Sequence, residues 1–368
     1  MKSFFSFRLG VDYECTGITM LRNLFYVGVL FCLVACKDTS HQETDVRTIE
    51  VTDFSGQKQE LNELFRTEVL ALRSDSSGYV ANVKDVAGIG NSVYVLDEVT
   101  LSMAKFDRRT GRLEREICQR GNGPLEYIQP VALSSDSCRL YMLDMGGLSV
   151  YVYNKELEAE RKVWLGFPAL DFVRVSDGFL CYNLAVSDTL RQVVYVNDSG
   201  KIVDSFGASE VSNSGFTGSK LFSKSGEDDV YCVLPSGRTV YRWDAAAHLL
   251  SPYVSYDYGD ANYQGDATQA GAVGALDVMP CEFFKVGSSL INSFLYADKR
   301  YYACSSPDMA VQKTGMVVDS NGKIPFFPRW QIGDTLIGSC SYEEMDDMSE
   351  GEEERYGNML LLFTLKNE

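Results

Sequence analysis

One short pattern occurs twice at a fixed distance. VYVLD at 93–97 returns as LYMLD at 140–144, 47 residues later. Each is followed by a short turn and a second run, MAKFD or VYVYN, then by a charged one, LEREI or AERKV. The paired runs recur more loosely as GFLCYN with RQVVYVND, DVYCVL with RTVYRWD, SLINSFLYAD with RYYACSS, and TLIGSCSY with NMLLLFTL. Six units result, starting near 93, 140, 179, 230, 290 and 335. Short β-branched and aromatic runs divided by turn residues mark an all-β chain. Repetition at this period, about four short strands per unit, predicts a β-propeller, in which each unit buries its faces on its neighbours. The sixth unit ends at Leu365 without an outer strand, while a spare strand, TEVLALRS at 67–74, precedes the first. The expected fold is therefore all-β, a six-bladed β-propeller of four-stranded blades over 67–368. Its last blade is closed by the N-terminal strand, and seven blades is the competing count.

The N-terminus reads differently. From Met20 the chain runs MLRNLFYVGVLFCLVAC: a basic residue, a ten-residue apolar run at 24–33, then small residues before Cys36. That run is too short to span a bilayer and suits a signal peptide. LVAC resembles a bacterial lipobox, which implies that Cys36 is lipidated and becomes the first residue. Residues 1–35 are then a signal peptide, with Met20 as the expected start, and 36–66 are the lipidated cysteine and a tether. Two or more acyl chains anchor stably without spanning. Lys37 in place of an aspartate favours the outer membrane, by resemblance to lipoprotein sorting signals. Which face of that membrane is left open.

The stretch GNGPLEYIQPVALSSDSCRLYMLDMGGLSVYVYN at 121–154 resembles an NHL repeat: a glycine-rich lead, an aromatic, a proline, a strand ending in aspartate and a partner strand ending in Asn or Asp. With its lipobox, the chain is similar to the NHL-like six-bladed β-propeller lipoproteins, a family largely without assigned activity. The likeness is sharp over about 67–165 and rests on strand rhythm alone beyond. It implies a fold and a location, and brings no catalytic set.

Net charge is −17, with 34 basic and 51 acidic residues. Such a surface repels nucleic acid. Seven cysteines follow Cys36, scattered and without a CxxC pair, and read as small buried hydrophobes. Only His41 and His248 are present, so a catalytic triad or a multi-histidine metal site lacks its parts. GNGPLE precedes a strand, not a helix, which argues against a dinucleotide loop, and no cofactor is expected.

Asp97 and Asp144, at matching strand ends, read as acceptors for backbone N–H groups. The acidic stretch at 343–357 lacks calcium-loop spacing and reads as a solvated insertion. The Gly- and Ala-rich stretch at 258–280 reads as a bulge or a lid. RGNGPLEY, at 120–127, reads as a corner between blades, with Tyr127 packed between them and Glu126 bonded to backbone or to Arg120. Arg120, Glu126 and Tyr127 are the candidate ligand-binding residues there. Asp85, Asp171 and Glu282, near the starts of first strands, are candidate channel carboxylates. The expected function is a lipid-anchored envelope module that binds or scaffolds a protein, peptide or glycan. The alternatives are a calcium-dependent propeller hydrolase or lactonase with carboxylates in the channel, and a purely structural envelope component.

Overall fold

The computed structural model describes residues 46–73, 80–207, 220–235, 237–262, 277–306, 308, 310–341 and 358–366. Six sheets succeed one another along the chain, each built on four antiparallel strands, and two of them carry a fifth. Blade 1 occupies 83–117, blade 2 130–164, blade 3 169–206, blade 4 222–257, blade 5 279–318, and blade 6 330–365. The repeated VYVLD and LYMLD are the second strands of blades 1 and 2, Ser92–Asp97 and Leu140–Asp144. Repetition reaches the backbone: Leu101 and Leu148, also 47 residues apart, both take positive φ (56° and 48°) in the turn that follows.

Middle strands carry unbroken apolar runs because both of their faces are covered. Leu140–Asp144 and Ser149–Tyr153 are buried at every position. Fourth strands lie at the rim, so Leu113–Ile117 and Ala159–Trp164 turn their charged residues to water. Six apolar clusters fill the six junctions between neighbouring blades. The cluster between blades 2 and 3, for example, joins Tyr141, Val150 and Val152 to Phe172, Phe179 and Val194. The cluster between blades 6 and 1 joins Ile337, Leu360 and Leu362 to Val86, Val93 and Val95.

The ring closes as the spare strand predicts. Phe65–Ala71 pairs antiparallel with Asn358–Leu365, matching Leu70 to Leu360 and Glu68 to Leu362, and supplies the fourth strand of blade 6. The chain then docks on blade 1, where the Arg73 N–H donates to the Gly111 carbonyl (2.8 Å) and the Leu113 N–H to the Arg73 carbonyl (2.9 Å).

One boundary differs from expectation. The sequence reads as tether over 36–66, yet the chain is packed from Val46 onward. Thr48–Glu50 adds a parallel fifth strand to blade 4, and Lys58–Glu60 adds one to blade 5. A single helical turn, Leu61–Leu64, leads into the closing strand. Ile49, Val51, Phe54, Leu61 and Leu64 are buried, and the Phe54 ring sits edge-on against Phe294, Tyr296 and Tyr301. Three-residue strands in a polar background are too short to show a period, which is why the sequence reads as tether. Cys36, the leader and the acidic stretch at 343–357 lie outside the described residues. So does most of the 258–280 insertion. Its two ends are held together by a bridge between Asn262 and Val278, and Tyr258 is buried at its start.

None of Cys118, Cys138, Cys181, Cys232, Cys281, Cys304 and Cys340 is in a disulfide, and the last five are buried as small apolar groups.

Gly111 sets a test of closure. It adopts φ +69°, and a Cβ there would stand 1.9 Å from the Ala71 carbonyl oxygen of the closing strand. Gly111→Ala should lower stability by more than about 1 kcal/mol in urea unfolding. Gly226→Ala, with only ordinary contact at 3.5 Å, should leave the midpoint unchanged.

Candidate functional site

First strands line the channel: Val83–Ile89, Pro130–Ser135, Ala169–Val175, Phe222–Lys224, Met279–Val286 and Trp330–Ile332. Because strands in a meander alternate in direction, one mouth of the ring gathers three features. These are the starts of first strands, the turns between second and third strands, and the ends of fourth strands. We call it the lower mouth. Turns between first and second strands gather at the upper mouth.

Bulges shape the lower end of the channel. The pairing of first and second strands slips between Val83 and Asp85, Pro130 and Ala132, Ala169 and Asp171, and Pro280 and Phe283. An extra residue bends a strand and re-aims its side chain. At two of these slips the re-aimed residue is an aspartate, and each aspartate reaches the next blade. Asp85 accepts from its neighbour Val86 N–H (2.8 Å) and from Leu133 N–H of blade 2 (2.6 Å). Asp171 accepts from Phe172 N–H (2.9 Å) and from Leu221 N–H at the start of blade 4 (2.8 Å).

Lys220 joins the two. Its Nζ donates to Asp171 Oδ1 at 2.7 Å and to Asp85 Oδ2 at 2.9 Å, with both carboxylates almost wholly buried. The lysine enters beside blade 4, which faces blade 1 across a ring of six, so the amine braces the channel from one side to the other. Burial raises the Asp85 carboxyl above its ordinary range. Lys220 opposes that rise and Asp171 adds to it. Burial alone would lower the Lys220 amine, but the two carboxylates overcome it and the net shift is upward. The brace thus sets one amine between two buried carboxylates, with Coulomb attraction opposing the cost of burial.

Glu282, the third channel candidate, is placed elsewhere. It lies at the slip in blade 5, but its carboxylate accepts from Arg300 and from Ser293 Oγ within its own blade. The Arg300 guanidinium in turn stacks at 3.9 Å on Phe327. Glu282 is consumed in a buried pair beside blade 6 and does not line the channel. The three carboxylates therefore do not converge. Two are bound to one amine and to backbone, and the third is spent on an arginine. Among the described residues, no group of three or more His, Cys, Asp or Glu is arranged to hold a metal ion.

RGNGPLEY folds into a corner at the lower mouth. Gly121 N–H donates to the Tyr127 carbonyl (3.0 Å), and Tyr127 N–H to the Gln119 carbonyl (2.9 Å). Glu126 Oε2 accepts from Gly123 N–H (2.8 Å), and a Cβ on Gly121 would meet that oxygen at 2.0 Å. This is why glycines stand there. Tyr127 is fully buried between blades 1 and 2. Its hydroxyl donates to the Leu101 carbonyl (2.7 Å) and accepts from Gln119 N–H (3.1 Å). It cannot meet a ligand, and its place among the candidates is corrected. Arg120 and Glu126 remain exposed on the rim.

Asp97 and Asp144 are structural acceptors. Asp97 takes Val99 N–H (2.7 Å) and Thr100 N–H (3.2 Å) in the following turn. Asp144 reaches instead to Ile128 and Gln129 N–H (3.0 and 2.7 Å), tying the corner to its own blade. His248 stacks on Trp243 at the junction of blades 3 and 4 and lies 2.9 Å from Asp177.

The upper part of the channel is a cavity of about 300 Å³. Lys220 lies at its base, and the upper-mouth turns with Asp136, Ser137, Gly226, Glu227 and Gly333 form its opening. Sequence reading missed both Lys220 and Lys224 on its wall. Their one signal was the alternate spacing K-x-F-x-K at 220–224, which in an extended chain turns three side chains the same way.

Removing the central amine should expose what the brace supports. Lys220→Met leaves two buried carboxylates without a cation, expected to cost about 3–5 kcal/mol at pH 7. With nothing to oppose burial, the Asp85 carboxyl rises further and holds a proton in the folded state that the unfolded chain releases. The variant's stability must then fall as pH rises from acid towards neutral. Urea unfolding should therefore show a smaller loss at pH 4 than at pH 7. Equal losses would mean that the triad is not electrostatically coupled.

Comparisons agree with this architecture. A putatively exported protein from Bacteroides fragilis NCTC 9343 superposes with a TM-score of 0.68 at 16% identity, over 87% of this chain and 100% of its own. A member of the duf4221 family from Bacteroides vulgatus superposes with a TM-score of 0.55 at 10% identity, over 84% and 100%. At such identities these show the shared fold. No curated protein matches the chain. Residues 37–301 match the DUF5128 family, described as a 6-bladed beta-propeller, and the chain belongs to that family.

Proposed function

We propose that the protein is an exported binding module, held at the outer membrane by acyl chains on Cys36, which receives a protein or peptide partner on its lower mouth. The observation that carries this reading is a group of five exposed large apolar side chains at one mouth; of the other four among the described residues, Ile202, Val203 and Leu249 belong to fourth strands and Phe327 precedes blade 6. Val99 (66% exposed) and Leu184 lie in turns between second and third strands. Leu125 and Ile128 flank the corner into blade 2, and Trp164 (65%) ends that blade's fourth strand. All five belong to blades 1–3 and to the same mouth. The loops bearing Val99 and Leu125 are tied together through the Tyr127 hydroxyl on Leu101. Exposed aromatic and aliphatic side chains on a rigid frame, rimmed by charges such as Arg120 and Glu126, are what a partner face requires.

The brace favours this reading over hydrolysis in the channel. Asp85 and Asp171, on which metal-dependent chemistry would draw, are turned towards an amine. Export is supported by the leader pattern before Cys36, and by the assignment of the Bacteroides fragilis protein as exported.

Two experiments test the reading. Crosslinking in native envelopes with the lipidated chain should capture a partner. Val99→Asp, Ile128→Asp and Trp164→Ala should each reduce capture about tenfold or more, as loss of a hot-spot contact does, with thermal stability retained. Capture unaffected by all three would remove the lower mouth as the partner face. Cys36→Ser should move the protein from the membrane to the soluble fraction, and continued sedimentation with membranes would defeat the lipid anchor.

A further inference from the structure

The cavity at the opposite mouth carries a second, separate feature. Lys220, just before the strand Phe222–Lys224, and Lys224 at its end both line it, yet their surroundings differ. Lys220 is locked between two carboxylates. Lys224 has no carboxylate within ion-pair distance among the described residues. Its Nζ donates only to backbone, to the Arg174 carbonyl at 2.9 Å and the Ser135 carbonyl at 3.3 Å. Phe172, Phe222, Phe284 and Trp330 share the wall.

Burial pulls the Lys224 amine down to about 8. Asp136, Glu227 and Asp228 resist that fall, and the Arg174 cation adds to it. A lysine desolvated in this way and set near another cation presents a usable neutral fraction close to physiological pH, and neutral amines attack carbonyl carbons.

We propose that the upper channel is a site for a small uncharged aldehyde or ketone, which condenses with Nζ of Lys224. The lone pair on Nζ attacks the carbonyl carbon, and a proton passes from nitrogen to the oxygen to give a carbinolamine. The C–O bond then breaks, and the oxygen leaves as water with the second amine proton. A C=N bond remains, and no oxidant or reductant is needed. An uncharged ligand is favoured because the lining carries charges of both signs, Asp136 and Glu227 at the opening against Lys220, Lys224 and Arg329, so neither an anion nor a cation meets a field of one sign. The aromatic wall accommodates an apolar body. This site does not depend on the partner face, since it opens at the other mouth.

The test uses the intact chain with benzaldehyde as probe and cyanoborohydride to reduce any imine to a stable secondary amine, followed by peptide mapping. At pH 7.5, Lys224 should be benzylated at least about tenfold faster than its neighbour Lys220 or the exposed Lys58, because burial lowers its amine. Its rate should rise to half-maximum near pH 8. Lys224→Arg should lose this fast label while keeping the circular-dichroism spectrum of the parent. Labelling of Lys224 no faster than that of Lys58 would overturn the proposal.

Discussion

The pairing of Phe65–Ala71 with Asn358–Leu365 holds the ring shut, and the remaining architecture presupposes it. A blade of a propeller cannot bury both faces alone. Each of the six apolar clusters draws on two neighbouring blades, so opening the ring at one junction would expose two faces together. Here the two ends of the propeller meet within a single sheet, and the chain then continues onto blade 1 through Arg73 and Gly111. The segment before the closing strand strengthens the same region. It runs along the outer edges of blades 4 and 5 as parallel fifth strands, covering edges that would otherwise offer free backbone groups.

Within the closed ring, the bulges in the first strands decide what the channel can do. The same slip recurs in blades 1, 2, 3 and 5, but only blades 1 and 3 place aspartates there that reach into the next blade. Lys220 then links both aspartates across the ring. A buried triad of this kind is weak evidence for stability, since desolvation offsets much of the attraction. Its clearer consequence is geometric. Blades 1, 3 and 4 are tied at the lower end, and the two mouths are left with different characters. One mouth is apolar at its rim; the other leads to a cavity with an unpaired amine.

Much of the fold was legible in advance. Strand count, blade order and closure by an N-terminal strand followed from the 47-residue repeat and the missing outer strand, because buried strands on both sides of a blade leave unbroken apolar runs. The corner at RGNGPLEY was also legible, since its glycines answer a local need: Glu126 fills the space that a Cβ on Gly121 would require. The site was legible only in part. Asp85 and Asp171 were named for their place near the starts of first strands, but nothing local distinguished them from Glu282. What separated them was the group each met. For two it was Lys220, 135 and 49 residues away; for the third it was Arg300. Tyr127 packs between blades 1 and 2, as the corner reading expects; only its place among the ligand-binding candidates falls.

By itself, then, the sequence determined the repeat and the strand that closes the ring, and favoured six blades over seven. These properties follow from the periodicity and patterning of neighbouring residues along the chain. Tertiary structure alone decided which carboxylates are neutralised, which mouth exposes its apolar residues, and that Lys224 lacks the counter-charge given to Lys220. Charge pairing and burial act between residues far apart in the chain, and a closed ring brings blade 1 and blade 4 face to face without leaving any trace of that meeting in either stretch.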